Sequence, residues 1–133
     1  MPFLFDMFDR DIAWNLLQKA GFPDTVIAQQ KFLYARMTRY TKAGGHYGYA
    51  LTNCNGVGQG CSLSLLVANL YVTVQARMAT TISPGLHFGA IIDDRNLAHD
   101  DIQALVRALK AIVRYDEIAG HRTNISKSVA WST

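Results

Sequence analysis

A chain of 133 residues, half of them hydrophobic, has the mass to bury the core of one ordinary domain. It holds no run of 18 or more apolar residues and no charged segment ahead of a hydrophobic one, which argues against a membrane span or secretory leader and for a soluble intracellular protein. The formal charge of +3 is unevenly spread, because residues 31–80 carry Lys31, Arg36, Arg39, Lys42 and Arg77 and no acid. Tyr34, Tyr40, Tyr47 and Tyr49 are interleaved there, a pattern that suits a phosphate-backbone partner and equally a plain basic surface. Cys54, Cys61 and the four histidines do not fall at zinc-ligand spacing, so reduced thiols are expected.

In chain order, residues 1–5 are read as the end of a strand. Asp9 or Asp11 then caps a helix with Ile12, Ala13, Leu16, Leu17 and Ala20 on one face, closed by Gly21 and Pro23. Asp24 starts a second helix to about Met37, with Ile27, Phe32 and Leu33 expected in the core. Thr38–Ala43 and His46–Thr52 flank Gly44-Gly45, a dipeptide that accepts the positive φ angles of a tight hairpin. After a glycine-rich loop, Leu63 to about Met78 is expected to form a largely buried helix. Leu86–Ile92 is a short apolar strand, and Arg95–Ala98 is its returning partner, with Asp93 and Asp94 at the tip. The clearest helix spans about Asp100 to Ala119, its stripe of Ile102, Leu105, Val106, Leu109, Ile112 and Val113 stopped by Gly120. A last strand is expected at Ser128–Ser132. This order predicts a single α+β domain, an antiparallel sheet covered on one face by helices, with the carboxylates presented from the open face.

The adjacent Asp93 and Asp94 carry the chemistry. Two carboxylates side by side repel each other at neutral pH, and a divalent cation with oxygen preference, such as Mg²⁺, neutralises them.

The string Gly56-Val57-Gly58-Gln59-Gly60-Cys61-Ser62-Leu63-Ser64, then Ile91-Ile92-Asp93-Asp94, then Gly120 to Ser128 resembles motifs B, C and D of reverse transcriptases of the non-LTR retrotransposon and group II intron kind. The motifs stand in the family's order and at about its spacing over nearly the whole chain, so the resemblance implies a polymerase palm. Phe5-Asp6 and Gly21-Phe22-Pro23 resemble the end of motif A, about 5–9. In that register the motif A metal-binding aspartate falls immediately before Met1. A register with Asp6 itself as ligand stays open, whereas one based on Phe8-Asp9 puts Phe3 where the aspartate belongs. Ile91 stands where the family usually has an aromatic, and Ser62 where motif B commonly has proline. The family's fingers and thumb do not fit within 133 residues, so a palm cut from a larger polyprotein is expected.

The resemblance implies an RNA-directed DNA polymerase with two Mg²⁺ ions, Mn²⁺ being a possible substitute, an RNA template, a DNA primer and dNTPs. It makes Asp93 the bridging metal ligand with Asp94 as a second ligand. Phe5 corresponds to an aromatic gate against the ribose 2′-hydroxyl, and Gln59 and Gly60 to the contact with template and incoming base. Lys127 corresponds to the motif D lysine near the triphosphate, with Arg122 as a competitor. The bland counterparts are a core aromatic at Phe5, a loop-fixing amide at Gln59 and a solvated cation at Lys127. Two other functions compete: an inert relic or nucleic-acid-binding fragment, and an RNA-directed RNA polymerase palm, which Gln59-Gly60 and Phe5 disfavour.

Overall fold

The computed structural model describes residues 4–52, 55–58, 61–91 and 94–131. The fold is α+β and separates into two compact units, Met1–Thr73 and Val74–Thr133. Among the described residues the strands form two separate antiparallel pairs rather than the one helix-covered sheet expected from the element order.

The first unit begins with a helical turn, α1 (Leu4–Met7), so this stretch does not end a strand; residues 1–3 lie outside the described residues. Asp9 caps α2 (Arg10–Lys19), its carboxylate accepting from the amides of Asp11 at 2.8 Å and Ile12 at 3.1 Å. The buried face of α2 is Ala13, Trp14 and Leu17; Ala20 is exposed. In α3 (Asp24–Arg36) the buried residues are Ile27 and Tyr34, two turns apart, and Pro23 occupies the cap position with Asp24 in the first turn. Phe32 and Leu33 fall on the other side and are 60% and 54% exposed, which corrects their expected place in the core. Phe32 instead lies under the Arg36 guanidinium, 4.1 Å from its ring centroid, one helical turn on.

Strands β1 (Thr38–Ala43) and β2 (His46–Thr52) pair from Thr38↔Thr52 to Ala43↔His46, leaving Gly44 and Gly45 as a two-residue turn. Their φ angles of 57° and 84° are those a tight primed turn demands, which is why glycine occupies both positions. The register slips between Tyr40 and Lys42, a bulge that accentuates strand twist. Neither strand contributes a fully buried side chain.

Helix α4 (Ser62–Ile82) runs from the first unit into the second. It buries Ser64, Val67, Ala68 and Tyr71 in the first unit and Gln75 and Ala79 in the second, a stripe at three- and four-residue spacing. Leu65, Val74 and Ile82 are exposed, so the helix is buried on one face rather than all round.

In the second unit, β3 (His87–Ile91) pairs with β4 (Asp94–Ala98) from His87↔Ala98 to Ile91↔Asp94. Phe88 and its partner Leu97 pack on a core of Ala79, Leu86, Ala108 and Ile112. Asp101 caps α5 (Ile102–Ile118) by accepting from the Gln103 amide at 2.8 Å. The buried positions of α5 are Ala104, Ala108, Ile112 and Asp116, whereas Ile102, Val106 and Leu109 are exposed. Of the stripe expected to be core, Ile112 is buried and Leu105 packs against the same core, while Ala104 and Ala108 take the other buried apolar positions. Beyond Gly120 the chain forms a short 3-10 turn, Ile125–Lys127, and residues 128–131 are not a strand. Asn124 accounts for this. Its carbonyl accepts from the Lys127 amide at 3.2 Å and the Ser128 hydroxyl at 2.9 Å, a local arrangement that competes with strand pairing.

Candidate functional site

The loop resembling motif B is held from several sides within the first unit. The Val57 amide donates to the Phe5 carbonyl at 2.7 Å and the Gly56 amide to the Phe8 carbonyl at 2.7 Å, so residues some fifty positions apart are joined by backbone bonds. Arg10 spreads its guanidinium over the same segment. Nε donates to the Gly56 carbonyl at 2.8 Å, one terminal nitrogen to the Tyr34 carbonyl at 3.1 Å and the other to the Asn55 carbonyl at 3.2 Å. A guanidinium suits three carbonyls at once because its donors are fixed in a planar fork. Opposite it, the Gly58 amide donates to the Tyr34 hydroxyl at 2.8 Å and the Ser64 hydroxyl donates to the Gly58 carbonyl at 2.6 Å.

Below the loop lies an aromatic group. Phe8 meets Tyr71 edge to face at 5.5 Å and Phe5 at 6.3 Å, and Trp14 lies against Tyr34 at 5.6 Å. Phe5 is half-buried, so its ring is part of this packing while its carbonyl holds the loop. Burial pushes the Cys61 thiol up, but hydrogen bonding with Tyr34, Leu63 and Ser64 outweighs it and leaves the thiol below its usual value. Burial likewise pushes the Tyr34 hydroxyl up, only partly offset by the Gly58 amide. Gln59 and Gly60, expected to contact template and incoming base, lie outside the described residues, as does Cys54.

In the second unit, strand alternation separates two faces of the β3–β4 pair. Phe88, Arg95 and Leu97 are half-buried on the inner face, while Asp94 is exposed beside its partner Ile91 on the outer one. The carboxylate of Asp94 is therefore presented to solvent at the start of β4. An exposed carboxylate is a hard oxygen donor of the kind Mg²⁺ takes, and among the described residues no group of three or more His, Cys, Asp or Glu side chains stands together to hold such an ion. Asp93 and Ile92 lie outside the described residues. Lys127 is exposed at the end of the 3-10 turn, and Arg122 is exposed as well.

No family model matches the chain, and no curated protein is significantly similar to it.

One network is centred on a residue outside the segments that resemble the polymerase motifs. Asp116 is buried on the inner face of α5, and its carboxylate accepts from Gln75 of α4 at 2.8 Å, Arg95 of β4 at 2.8 Å and Thr123 at 2.7 Å. Its backbone carbonyl accepts from the His121 amide at 2.7 Å. Arg95 directly follows Asp94, so the strand that carries the candidate ligand is tied to both helices and to the segment resembling motif D. His121 is buried beside this network. Burial pushes its imidazole below the usual value, the Asp116 carboxylate opposes that shift and the Arg95 guanidinium adds to it. A signal existed in the sequence: Ala104, Ala108, Ile112 and Asp116 recur every four residues, placing the acid on the same face as Ile112.

Proposed function

We propose that this chain is the palm region of an RNA-directed DNA polymerase of the retroelement kind, transferring deoxynucleotides to a primer 3′-hydroxyl. The observation that carries the proposal is the pair of backbone bonds from Gly56 and Val57 to Phe8 and Phe5, which supports treating the motif A and motif B segments as one functional unit. The hairpin with register Ile91↔Asp94 and an exposed Asp94 supports a carboxylate site at the motif C position.

In this reading Asp93 and Asp94 hold divalent metal. Two such ions stabilise the in-line displacement of pyrophosphate when bound. Phe5 limits space beside the sugar, and Gln59 and Gly60 contact the template and incoming base, with Arg10 holding the adjoining Asn55 and Gly56 carbonyls in place. Lys127 supplies positive charge toward the triphosphate.

The test is primer extension on an RNA template with Mg²⁺, using a polypeptide that carries this chain together with upstream and downstream polymerase segments. Asp93→Ala is expected to lower the extension rate at least about a hundredfold, the scale on which a lost electrostatic stabiliser of the transition state registers. Unchanged extension sinks the assignment.

A further inference from the structure

The β1–β2 hairpin serves no described core. Its side chains are exposed almost throughout, and they include three tyrosines: Tyr40 at 57%, Tyr47 at 69% and Tyr49 at 95% exposure. Solvating that much aromatic surface on a two-stranded ribbon, itself marginal when isolated, is an arrangement a partner would stabilise. Tyr40, Lys42 and Tyr47 share one face, because Lys42 pairs with Tyr47 and Tyr40 lies two residues along the same strand. On that face the two rings stand 6.5 Å apart and nearly perpendicular, at 84°, and the Lys42 ammonium lies 5.3 Å from the centre of the Tyr47 ring.

The charge on this hairpin has one sign. Arg39 and Lys42 lie within it and no acid does; the preceding helix adds Lys31 and Arg36. Aromatic rings interleaved with cations on an acid-free surface match a polyanion that also offers flat apolar faces, which describes a nucleic acid better than an acidic peptide. The ring geometry narrows the choice further. Perpendicular rings cannot both stack on bases held parallel in a duplex, whereas the bases of a single strand turn independently and can meet each ring in turn.

We propose that the Tyr40–Lys42–Tyr47 face of the hairpin binds single-stranded nucleic acid by stacking and phosphate pairing. The inference rests on the polymerase reading only for the biological source of the strand, a template; the surface itself is argued from the hairpin.

The experiment is fluorescence anisotropy of the 133-residue chain with labelled oligo(U), oligo(dT) and a mixed-sequence DNA duplex across a salt series. Both single strands are expected to bind more tightly than the duplex, and a difference between them identifies RNA or DNA as the preferred strand. Tyr40→Leu and Tyr47→Leu keep apolar contact across the hairpin but remove the aromatic face; each is expected to weaken binding at least about fivefold. Tyr40→Phe and Tyr47→Phe should stay within twofold of the parent, and circular dichroism should match for all four. Lys42→Met should flatten the dependence on salt by about one charge. Leucine variants that bind like the parent, or a duplex that binds as tightly as the single strands, overturn the proposal. So does self-association that the leucine variants abolish in a chain with no oligonucleotide binding, since the face would then be an interface between copies. Asp93→Ala should leave this binding unchanged. Binding that does not depend on the tyrosines, with extension still dependent on Asp93, thus refutes the surface alone, and tyrosine-dependent binding with extension indifferent to Asp93 refutes the polymerase alone.

Discussion

Asp116 shows how one side chain can decide the behaviour of its surroundings. A carboxylate 1% exposed is costly to bury unless its lone pairs are filled, and here an arginine, an amide and a hydroxyl fill them at 2.7–2.8 Å. Removing the acid strands three donors at once, one of them charged. Asp116→Ala is therefore expected to destabilise the protein by about 3 kcal/mol, the lower end for breaking a buried pair, because the Arg95 side chain retains some contact with water. Urea unfolding followed by circular dichroism measures it, and a loss under about 1 kcal/mol would show that the network is not holding the strand. Asp116→Asn should lose less, since its side-chain oxygen still accepts from Gln75.

Helix α5 illustrates a division between pattern and packing at the scale of an element. Periodicity marks a stripe of large residues, and the helix exists where that stripe and the cap at Asp101 put it. Which part of the stripe is buried depends on how near the neighbouring elements come. Ala104, Ala108 and Ile112 are buried, whereas Leu109 is 47% exposed. The expected order of mutational effects is the reverse of what residue size suggests. Ala108→Leu must overpack a site with no free surface and should cost about 1–3 kcal/mol, while Leu109→Ala should cost less than about 1 kcal/mol. Equal costs, measured as shifts of the urea midpoint, would contradict the assignment of the buried face.

Over the whole molecule, apolar surface remains uncovered. Ile91, Ile102, Ile118, Val129 and Trp131 are each exposed by more than half, together with the aromatic hairpin. No described helix is long and apolar enough to cross a membrane. The isolated chain is expected to be marginally stable and to associate as its concentration rises, because exposed apolar surface is buried by association. Sedimentation velocity across a hundredfold concentration range tests this; a monomer throughout, with cooperative unfolding at several kcal/mol, would count against it.

Much of the architecture is legible in the residues. Gly44-Gly45, the cap at Asp9, Gly120 after α5 and the alternation around β3 and β4 are local signals, and each specifies its element because the cause lies within a few residues of the effect. The resemblance to polymerase motifs is likewise a property of sequence order. What the chain order does not settle is set by contacts between distant residues. The division of the strands into two separate pairs, the exposure of Phe32 and Leu33, and the grip of Arg10 on the Asn55 and Gly56 carbonyls all follow from which surfaces meet. The Asp116 network belongs with them. Its described partners range from Gln75 to Thr123, and only the folded chain brings their donors within 3 Å of one carboxylate or its backbone carbonyl.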